Sequence, residues 1–299
     1  MIETKSVFAS IVGKPNVGKS TLLNNIIGEK IAIVSPKPQT TRTRITGILT
    51  EGEIQMVFID TPGIHLAKNK LGEYMVKQSK ASINDVDIII MMIEADKRLN
   101  EQEIELIKNI KESKMPAVLV INKVDKIKEK DLILEKINEV SKMHEFDTYI
   151  PISAKNGDGV SIVVDEVKKH AQLSPHFFED DMITDQIEKV IMAEVIREKM
   201  LFNLFDEIPY GIGVVVEKVK ERPKNNLMDI DAIIYCERDS HKGIVIGKKG
   251  AMLKKIATQA REDLEEFFNV KINLQVWVKV KQNWRNHANV MKALGYEDI

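Results

Sequence analysis

Hydrophobic positions in the first half of the chain gather in short, mostly apolar runs: Val7 to Val12, Met56 to Ile59, Asp87 to Ile93, Ala117 to Ile121 and Tyr149 to Ile152. Runs of this length without polar alternation read as strands covered on both faces, the mark of a parallel sheet between helices. The stretches between them have helical period. Thr21 to Ile27 continues from the first run as a helix, and Asn100 followed by Glu103 forms a capping box ahead of Ile104, Ile107 and Ile110. The pattern predicts an α/β domain, a mostly parallel sheet with helices on both faces, built from five β-α units that end near residue 172.

Beyond Ser174-Pro175 the alternation changes. Pro175 and the acids Glu179 to Asp181 mark a linker over residues 173–184. A long helix is expected from Asp185 to Phe205, then strands Ile212 to Lys220 and Ile230 to Glu237 paired as an antiparallel hairpin around Arg222 to Asn226. A short helix near Lys242 to Ile246, a helix from Ala251 to Phe268 and a strand from Lys271 to Val280 complete the order α-β-β-α-α-β. This is a second, α+β domain over residues 185–299 with a carboxyl-terminal tail. Trp277 lies within the last strand and is read as core, and Trp284 after it as either a stacking platform or an anchor for the tail, the anchor favoured.

Composition agrees with two domains. A chain of 299 residues exceeds the usual size of one hydrophobic core. The net charge of -1 does not advertise nucleic-acid binding, so any basic surface must be segregated. One cysteine, Cys236, excludes an internal disulfide framework and suits a reducing compartment; it reads as a small buried strand residue. Met1 to Lys5 runs directly into the first strand, which leaves no room for a signal peptide, and no apolar run is long enough to cross a bilayer. A cytoplasmic protein is expected.

Candidate chemistry lies directly after the predicted strands. Gly13-Lys14-Pro15-Asn16-Val17-Gly18-Lys19-Ser20, with Thr21 opening the helix, fits G-x-x-x-x-G-K-[ST] between a strand and a helix. Its backbone N–H groups and the helix N-terminus can face one anion. Lys19 is placed to reach the β- and γ-phosphates, and Ser20 to ligate Mg²⁺. Asp60-Thr61-Pro62-Gly63 follows the second strand: Asp60 is expected to hold Mg²⁺, through water, and Gly63 to offer its N–H to the γ-phosphate. Asn122-Lys123-Val124-Asp125 follows the fourth. Asp125 can accept from the N1 and N2 donors of guanine, a buried carboxylate that adenine would leave unpaired; Asn122 braces the loops and the stem of Lys123 covers the base. Ser153-Ala154-Lys155 supplies a backbone N–H to guanine O6.

Four such elements in this order resemble the translation-factor-like class of P-loop GTPases. That resemblance places a first switch at Gln39-Thr40-Thr41-Arg42-Thr43, where one threonine, Thr40 or Thr41, with Thr41 favoured, closes on Mg²⁺ and the γ-phosphate. Lys19, Thr40, Thr41, Asp60 and Gly63 are thereby the candidate catalytic set; Ser20, Thr41 and Asp60 are the candidate metal ligands. One departure matters. Ile64 stands where Ras-like enzymes carry the glutamine that orients water, so another group must do so, or hydrolysis is slow until a partner or a potassium ion contributes. His65 is the nearest substitute. Arg42 and Arg44 suit either catalysis or RNA phosphates.

In the second domain, Ile244-Val245-Ile246-Gly247-Lys248-Lys249-Gly250 is similar to the signature of a type II KH domain, whose GxxG loop clamps four nucleotides of single-stranded RNA. Ile246, Gly247, Lys248, Lys249, Gly250 and Lys254 are the candidate RNA contacts: glycines admit the RNA backbone, lysines neutralise phosphates, and Ile/Val positions floor a groove for bases. Together with the nucleotide motifs, this content resembles the Era family of bacterial GTPases over essentially the whole chain. The resemblance implies GTP hydrolysis, binding to the 3′ region of 16S ribosomal RNA, a role in assembly of the 30S subunit, peripheral contact with the inner membrane, and a monomer. The alternative is a GTP-gated, membrane-associated signalling or cell-cycle module whose carboxyl-terminal domain binds protein or lipid.

Overall fold

The computed structural model describes residues 3–63, 69–81, 86–129 and 131–296, with the side chains of residues 79–81 outside that description. The chain divides into two compact units. The first comprises Met1–Ala32, Thr41–Leu66 and Met75–Asp185; the second comprises Gln186–Ile299 together with Ile33–Thr40 and Ala67–Tyr74.

In the first unit, strands β1 (Lys5–Gly13), β2 (Ile45–Glu51), β3 (Ile54–Asp60), β4 (Ile88–Glu94), β5 (Ala117–Asn122) and β6 (Thr148–Pro151) lie in the order β2-β3-β1-β4-β5-β6. All neighbours are parallel except β2, which pairs antiparallel with β3. Helices α1 (Lys19–Ile27), α2 (Lys70–Ala81, whose residues 70–74 fall in the second unit), α3 (Glu101–Ser113), α4 (Asp131–Ser141) and α5 (Val160–Lys168) follow β1, β3, β4, β5 and β6 in turn. Leu22, Leu23 and Ile26 of α1 and Val163, Val164 and Val167 of α5 bury one face of the sheet. Leu106, Ile107 and Ile110 of α3 and Val140 of α4 bury the other. The capping box of α3 forms as its residues predict: Asn100 Oδ1 accepts from the Glu103 amide at 2.9 Å, and Glu103 Oε2 from the Asn100 amide at 3.0 Å. Met91 and Met92 are fully buried core residues.

β2 was not foreseen. Thr46 and Thr50 interrupt its apolar pattern, and it is held by pairing along the whole of β3. The segment read as a linker is strapped to the first unit instead. The two-residue strand β7 (Gln172–Leu173) pairs with β1, the Phe177 and Phe178 amides donate to Gln55 Oε1 at 2.8 and 3.0 Å, and the Ile48 amide donates to the Ile183 carbonyl at 2.9 Å. The backbone polar groups of this stretch find partners on the sheet edge, which is why it is not a free tether.

The second unit holds helices α6 (Glu188–Asn203), α7 (Asp239–Ile246), α8 (Ala251–Phe268) and α9 (Ala288–Ala293) and strands β8 (Gly213–Arg222), β9 (Leu227–Cys236) and β10 (Lys271–Val280). Sheet order is β10-β9-β8; β8 and β9 form the expected antiparallel hairpin, and β10 runs parallel to β9. Met228, Ile230, Ala232 and Ile234 of β9 pack with Ile196 and Met200 of α6 and with Ile256, Ala260 and Leu264 of α8 in one core. Cys236 is buried there, and burial pushes its thiol up to about 11. Trp284 anchors the tail: it is fully buried, donates from Nε1 to the Gly211 carbonyl at 2.9 Å and stacks on Tyr296. Trp277 departs from the expectation of a core residue. It is 46% exposed, because it shares parity with Lys271, Asn273, Gln275 and Lys279 on the outer face of β10.

Candidate nucleotide site and basic loop

Every motif of the first unit emerges at the carboxyl edge of the sheet, where a parallel α/β fold opens its ligand crevice. The phosphate loop connects β1 to α1, Asp60 ends β3, Asn122 ends β5, and Ser153 follows β6. Strand pairing alone therefore brings four stretches, distant in sequence, to one rim.

At one end of the rim three side-chain oxygens converge. Ser20 Oγ lies 2.6 Å from Asp60 Oδ2 and 2.9 Å from Thr41 Oγ1, and Thr41 Oγ1 lies 3.4 Å from Asp60 Oδ2. Asp60 is fully buried, and its other oxygen, Oδ1, has no hydrogen-bond partner among the described residues. Two hydroxyls and a buried carboxylate with a spare oxygen are the donor set a hard, oxygen-seeking cation such as Mg²⁺ prefers, so the residues fit the ion. Thr40 lies outside this group. Its hydroxyl bonds the Lys37 carbonyl at 2.7 Å and meets Ser35 Oγ at 2.7 Å, which separates the two threonines that the sequence leaves together.

Lys19 is buried, and its ammonium donates to the carbonyls of Gly13 and Lys14, both at 3.2 Å. Burial lowers its pKa, opposed by the charge of Asp60; burial raises that of Asp60, opposed by Lys19 and by the Ser20 and Thr41 hydroxyls. Two opposite charges thus stand in a poorly hydrated cradle. The Gly63 position completes it: a β-carbon built there would stand 2.7 Å from both the Pro15 N and Cα, a backbone approach that only glycine allows.

The base-recognition stretches brace one another at the other end. Asn122 Nδ2 donates to the Val17 carbonyl at 2.7 Å, and its Oδ1 accepts from the Ala154 amide at 2.9 Å, so one side chain ties three loops together. Ser153 Oγ donates to Asp125 Oδ1 at 2.7 Å, aiming the carboxylate. Asp125 is exposed rather than buried, so the cost of an unpaired carboxylate arises only when a base covers it. Lys155 and Asn16 are also exposed at this rim, and Val17 is buried beneath it.

Sequence reading missed the support under these loops. Glu94, at the end of β4 with its side chain 1% exposed, accepts from Lys123 Nζ, pairs with Lys97 at 2.7 Å and lies 3.8 Å from Lys14. Lys14 pairs with Glu103 at 3.3 Å, and Lys123 Nζ donates to the Asn16 carbonyl at 2.7 Å. Burial pushes the Glu94 carboxyl up, but hydrogen bonds from Lys123 and Lys97 and the charge of Lys14 outweigh it and hold the group below its ordinary range. A lone acid ending an apolar strand was the available signal. Of the two roles open to Arg42, its 1% exposure weighs against surface contact with RNA phosphates. Ile64 and His65 lie outside the described residues.

In the second unit, Gly247 to Gly250 turn between α7 and α8. Gly247 has φ +72° and approaches Met252 so closely that a β-carbon would stand 2.7 Å from Met252 Cβ. Lys248, Lys249 and Lys254 are exposed around this turn; Val245 is fully buried, Ile246 half-buried and Ile244 49% exposed. Residues 33–40 belong to the same unit. There the Val34 amide donates to Glu198 Oε1 at 2.9 Å, and the buried Arg197 of α6, which pairs with Glu194 at 2.5 Å, donates to the Thr40 carbonyl.

Comparison with known proteins matches both regions. A family model described as a 50S ribosome-binding GTPase covers residues 8–123, and a KH-domain model covers residues 207–285. The chain is 52% identical over 293 residues to the GTPase Era of Ruminiclostridium cellulolyticum and 48% identical over 294 residues to that of Clostridioides difficile, spanning 98% of this chain in both and 98% and 99% of those proteins. Two crystal structures, a point variant of Aquifex aeolicus Era bound to GDP·AlF4⁻ and Era in complex with MgGDPNP and nucleotides 1506–1542 of 16S ribosomal RNA, each match with a TM-score of 0.94 at 39% identity, over 98% of this chain and 99% of theirs. With a P-loop GTPase unit, a KH unit and this similarity along nearly its full length, the chain belongs to the Era family of GTPases.

Proposed function

We propose that this GTPase is a molecular switch whose KH unit binds single-stranded RNA in the 3′ region of 16S ribosomal RNA and assists assembly of the 30S subunit. The RNA follows from the relative captured with nucleotides 1506–1542 and from the basic GxxG turn. Within the nucleotide site, the phosphate-loop amides and Lys19 take the phosphates, Ser20 and Thr41 with Asp60 hold Mg²⁺, Gly63 senses the γ-phosphate, and Asp125 with the Ala154 amide reads guanine. Mg²⁺, when bound, neutralises charge on the β- and γ-phosphate oxygens.

One observation carries the switch. Thr41 stands beside Ser20 and Asp60 in the first unit, and the residue before it, Thr40, is held through its carbonyl by Arg197 of α6 in the unit that carries the KH loop. A change at Thr41 between GTP and GDP states is transmitted through one peptide bond to a segment that α6 grips. Titration of single-stranded RNA from the 3′ end of 16S ribosomal RNA against protein loaded with a non-hydrolysable GTP analogue or with GDP tests this: tighter binding in the GTP state is expected, and equal affinity in both states defeats the switch. Because Ile64 cannot orient water, either another group does so or intrinsic hydrolysis is slow and rises with potassium or a partner; equal rates in potassium and sodium chloride remove the potassium arm. Among the described residues no helix is long and apolar enough to cross a membrane. The membrane reading is one of peripheral contact. Anionic vesicles that displace RNA from the protein would favour it.

A further inference from the structure

The KH sheet has two faces, and the GxxG turn uses only one. Helices α6 and α8 cover the face made by Met228, Ile230, Ala232 and Ile234. The opposite face of β10 presents Lys271, Asn273, Gln275, Trp277 and Lys279, all exposed. Across the sheet, the register continues from Asn273 and Gln275 through Asp229 and Asp231 of β9 to Lys220 and Lys218 of β8, while Trp277 and Lys279 lie beside the buried Ile233 and the half-buried Tyr235. Asp229 is already engaged: Arg222 pairs with it at 2.5 Å and Asn273 Nδ2 donates to it at 2.9 Å. Asp231 and Glu217, the latter extruded at the β8 bulge, temper the charge without reversing the excess of lysines.

From this face we infer a second binding site for single-stranded RNA, in which a base stacks on Trp277 while Lys271 and Lys279 meet the flanking phosphates. The inference rests on the reading of this unit as an RNA binder and adds a separate place on it. Three features favour RNA over a protein or lipid occupant. A large indole left 46% exposed between Gln275 and Lys279 offers a flat π-face for a base, while its cross-strand neighbour Ile233 is only 1% exposed and so opens little aliphatic surface to a protein or acyl chain. Gln275, the next residue on the same face, can donate to and accept from base edges. The lysines lie along the same strand, so a polyanion can follow it. Topology supplies the route: β10 is an edge strand and packs against both α7 and α8, the helices flanking the GxxG turn. An RNA strand leaving that turn reaches Trp277 by passing round the β10 edge, so longer RNA should use both places at once.

The chain carries two tryptophans, and Trp284 is fully buried, so quenching of emission by RNA reports Trp277. The full-length protein is titrated with single-stranded oligonucleotides of about 6 and 16 residues, chosen to fit one site or span both. Expected are strong quenching with the longer RNA, its loss in Trp277→Phe measured through Trp284, and about ten-fold weaker binding of the longer RNA to Trp277→Ala. Lys271→Gln with Lys279→Gln should lower the salt slope by about two. In Lys248→Gln with Lys249→Gln, quenching should persist at higher RNA concentration. Far-ultraviolet circular dichroism and a melting curve verify that each variant folds. Unchanged Trp277 emission together with full affinity in Trp277→Ala overturns the second site and leaves RNA binding by the GxxG turn intact. Absence of RNA binding by the wild-type protein overturns both. Quenching by anionic vesicles or an acidic peptide, but not by RNA, overturns the choice of occupant.

Discussion

At the scale of single residues, the site turns on contacts too close or too charged to exchange. A methyl group at position 63 would stand 2.7 Å from the Pro15 backbone, so Gly63→Ala must push the two loops apart by several tenths of an ångström. In the proposed site the Gly63 amide meets the γ-phosphate, which GDP lacks. The variant should therefore keep its GDP affinity and lose about ten-fold for a GTP analogue, or about 1.4 kcal/mol, in a fluorescent-nucleotide titration. Equal losses for both nucleotides would place the damage elsewhere. Asp125→Asn exchanges an acceptor for a donor opposite guanine N1, and should move preference toward xanthine nucleotides; retained GTP selectivity in a competition assay counts against the assigned contact. Glu94 acts beneath the loops. Its folded carboxyl titrates below the ordinary 4.5, so its stabilisation is fully present above that value and disappears as pH falls through the lower, folded value. Glu94→Gln should lose stability at neutral pH and show a shallower acid limb in denaturant midpoints between about pH 3 and 7.

Elements carry the next level of argument. Helix α6 is buried along much of its length, and two consecutive polar residues, Arg197 and Glu198, serve to hold residues 33–40. Arg197→Met keeps a long, unbranched side chain in the core while removing the donor to the Thr40 carbonyl. It should leave β8 to β10 protected and raise amide exchange across residues 33–40 by roughly ten-fold, the equivalent of one lost charge-assisted hydrogen bond. Unchanged exchange of the Val34 amide would show that Glu198 alone secures the segment. The turn between α7 and α8 constrains its own test. Gly247→Asp, the obvious loss-of-binding variant, also collides with Met252 at φ +72°, so impaired RNA binding in that protein would mix strain with chemistry. Lys248→Gln with Lys249→Gln leaves the backbone as it is and should weaken RNA binding while GTP binding persists.

At the scale of the whole molecule, the described residues form separate cores, two on the faces of the nucleotide-binding sheet and one in the KH unit. A ligand that binds one folded unit stabilises that unit. GDP at one hundred times its dissociation constant should add about 2.7 kcal/mol to the first unit and shift its calorimetric transition, leaving that of the KH unit where it was. If both transitions move together, the units unfold as one. Linkage supplies the complementary test: should GTP tighten RNA binding, RNA must raise affinity for GTP over GDP by the same factor.

Much of this organisation was legible in the residues because its causes are local. A phosphate loop needs glycines and a lysine at fixed spacing between a strand and a helix, and the capping box of α3 is complete within four residues. The parity of β10 likewise places Trp277 with Lys271 and Lys279, although the apolar bulk of an indole argues for a core position. Other features depend on partners remote in sequence. Thr40 and Thr41 are alike as a pair of residues, and they separate only because β3 delivers Asp60 to one of them while Arg197 holds the carbonyl of the other. Residues 173–184 have the composition of a tether, yet Gln55 and the edges of β1 and β2 satisfy their backbone groups. Glu94 acquires its role from three lysines on different loops. The sequence by itself determined the two domain types, the order of the nucleotide motifs and the chemistry each can perform, since these depend on spacing along one strand, turn or helix. Tertiary structure alone decided which of several equivalent side chains meet, because burial and hydrogen-bond pairing are settled by long-range strand register and helix packing.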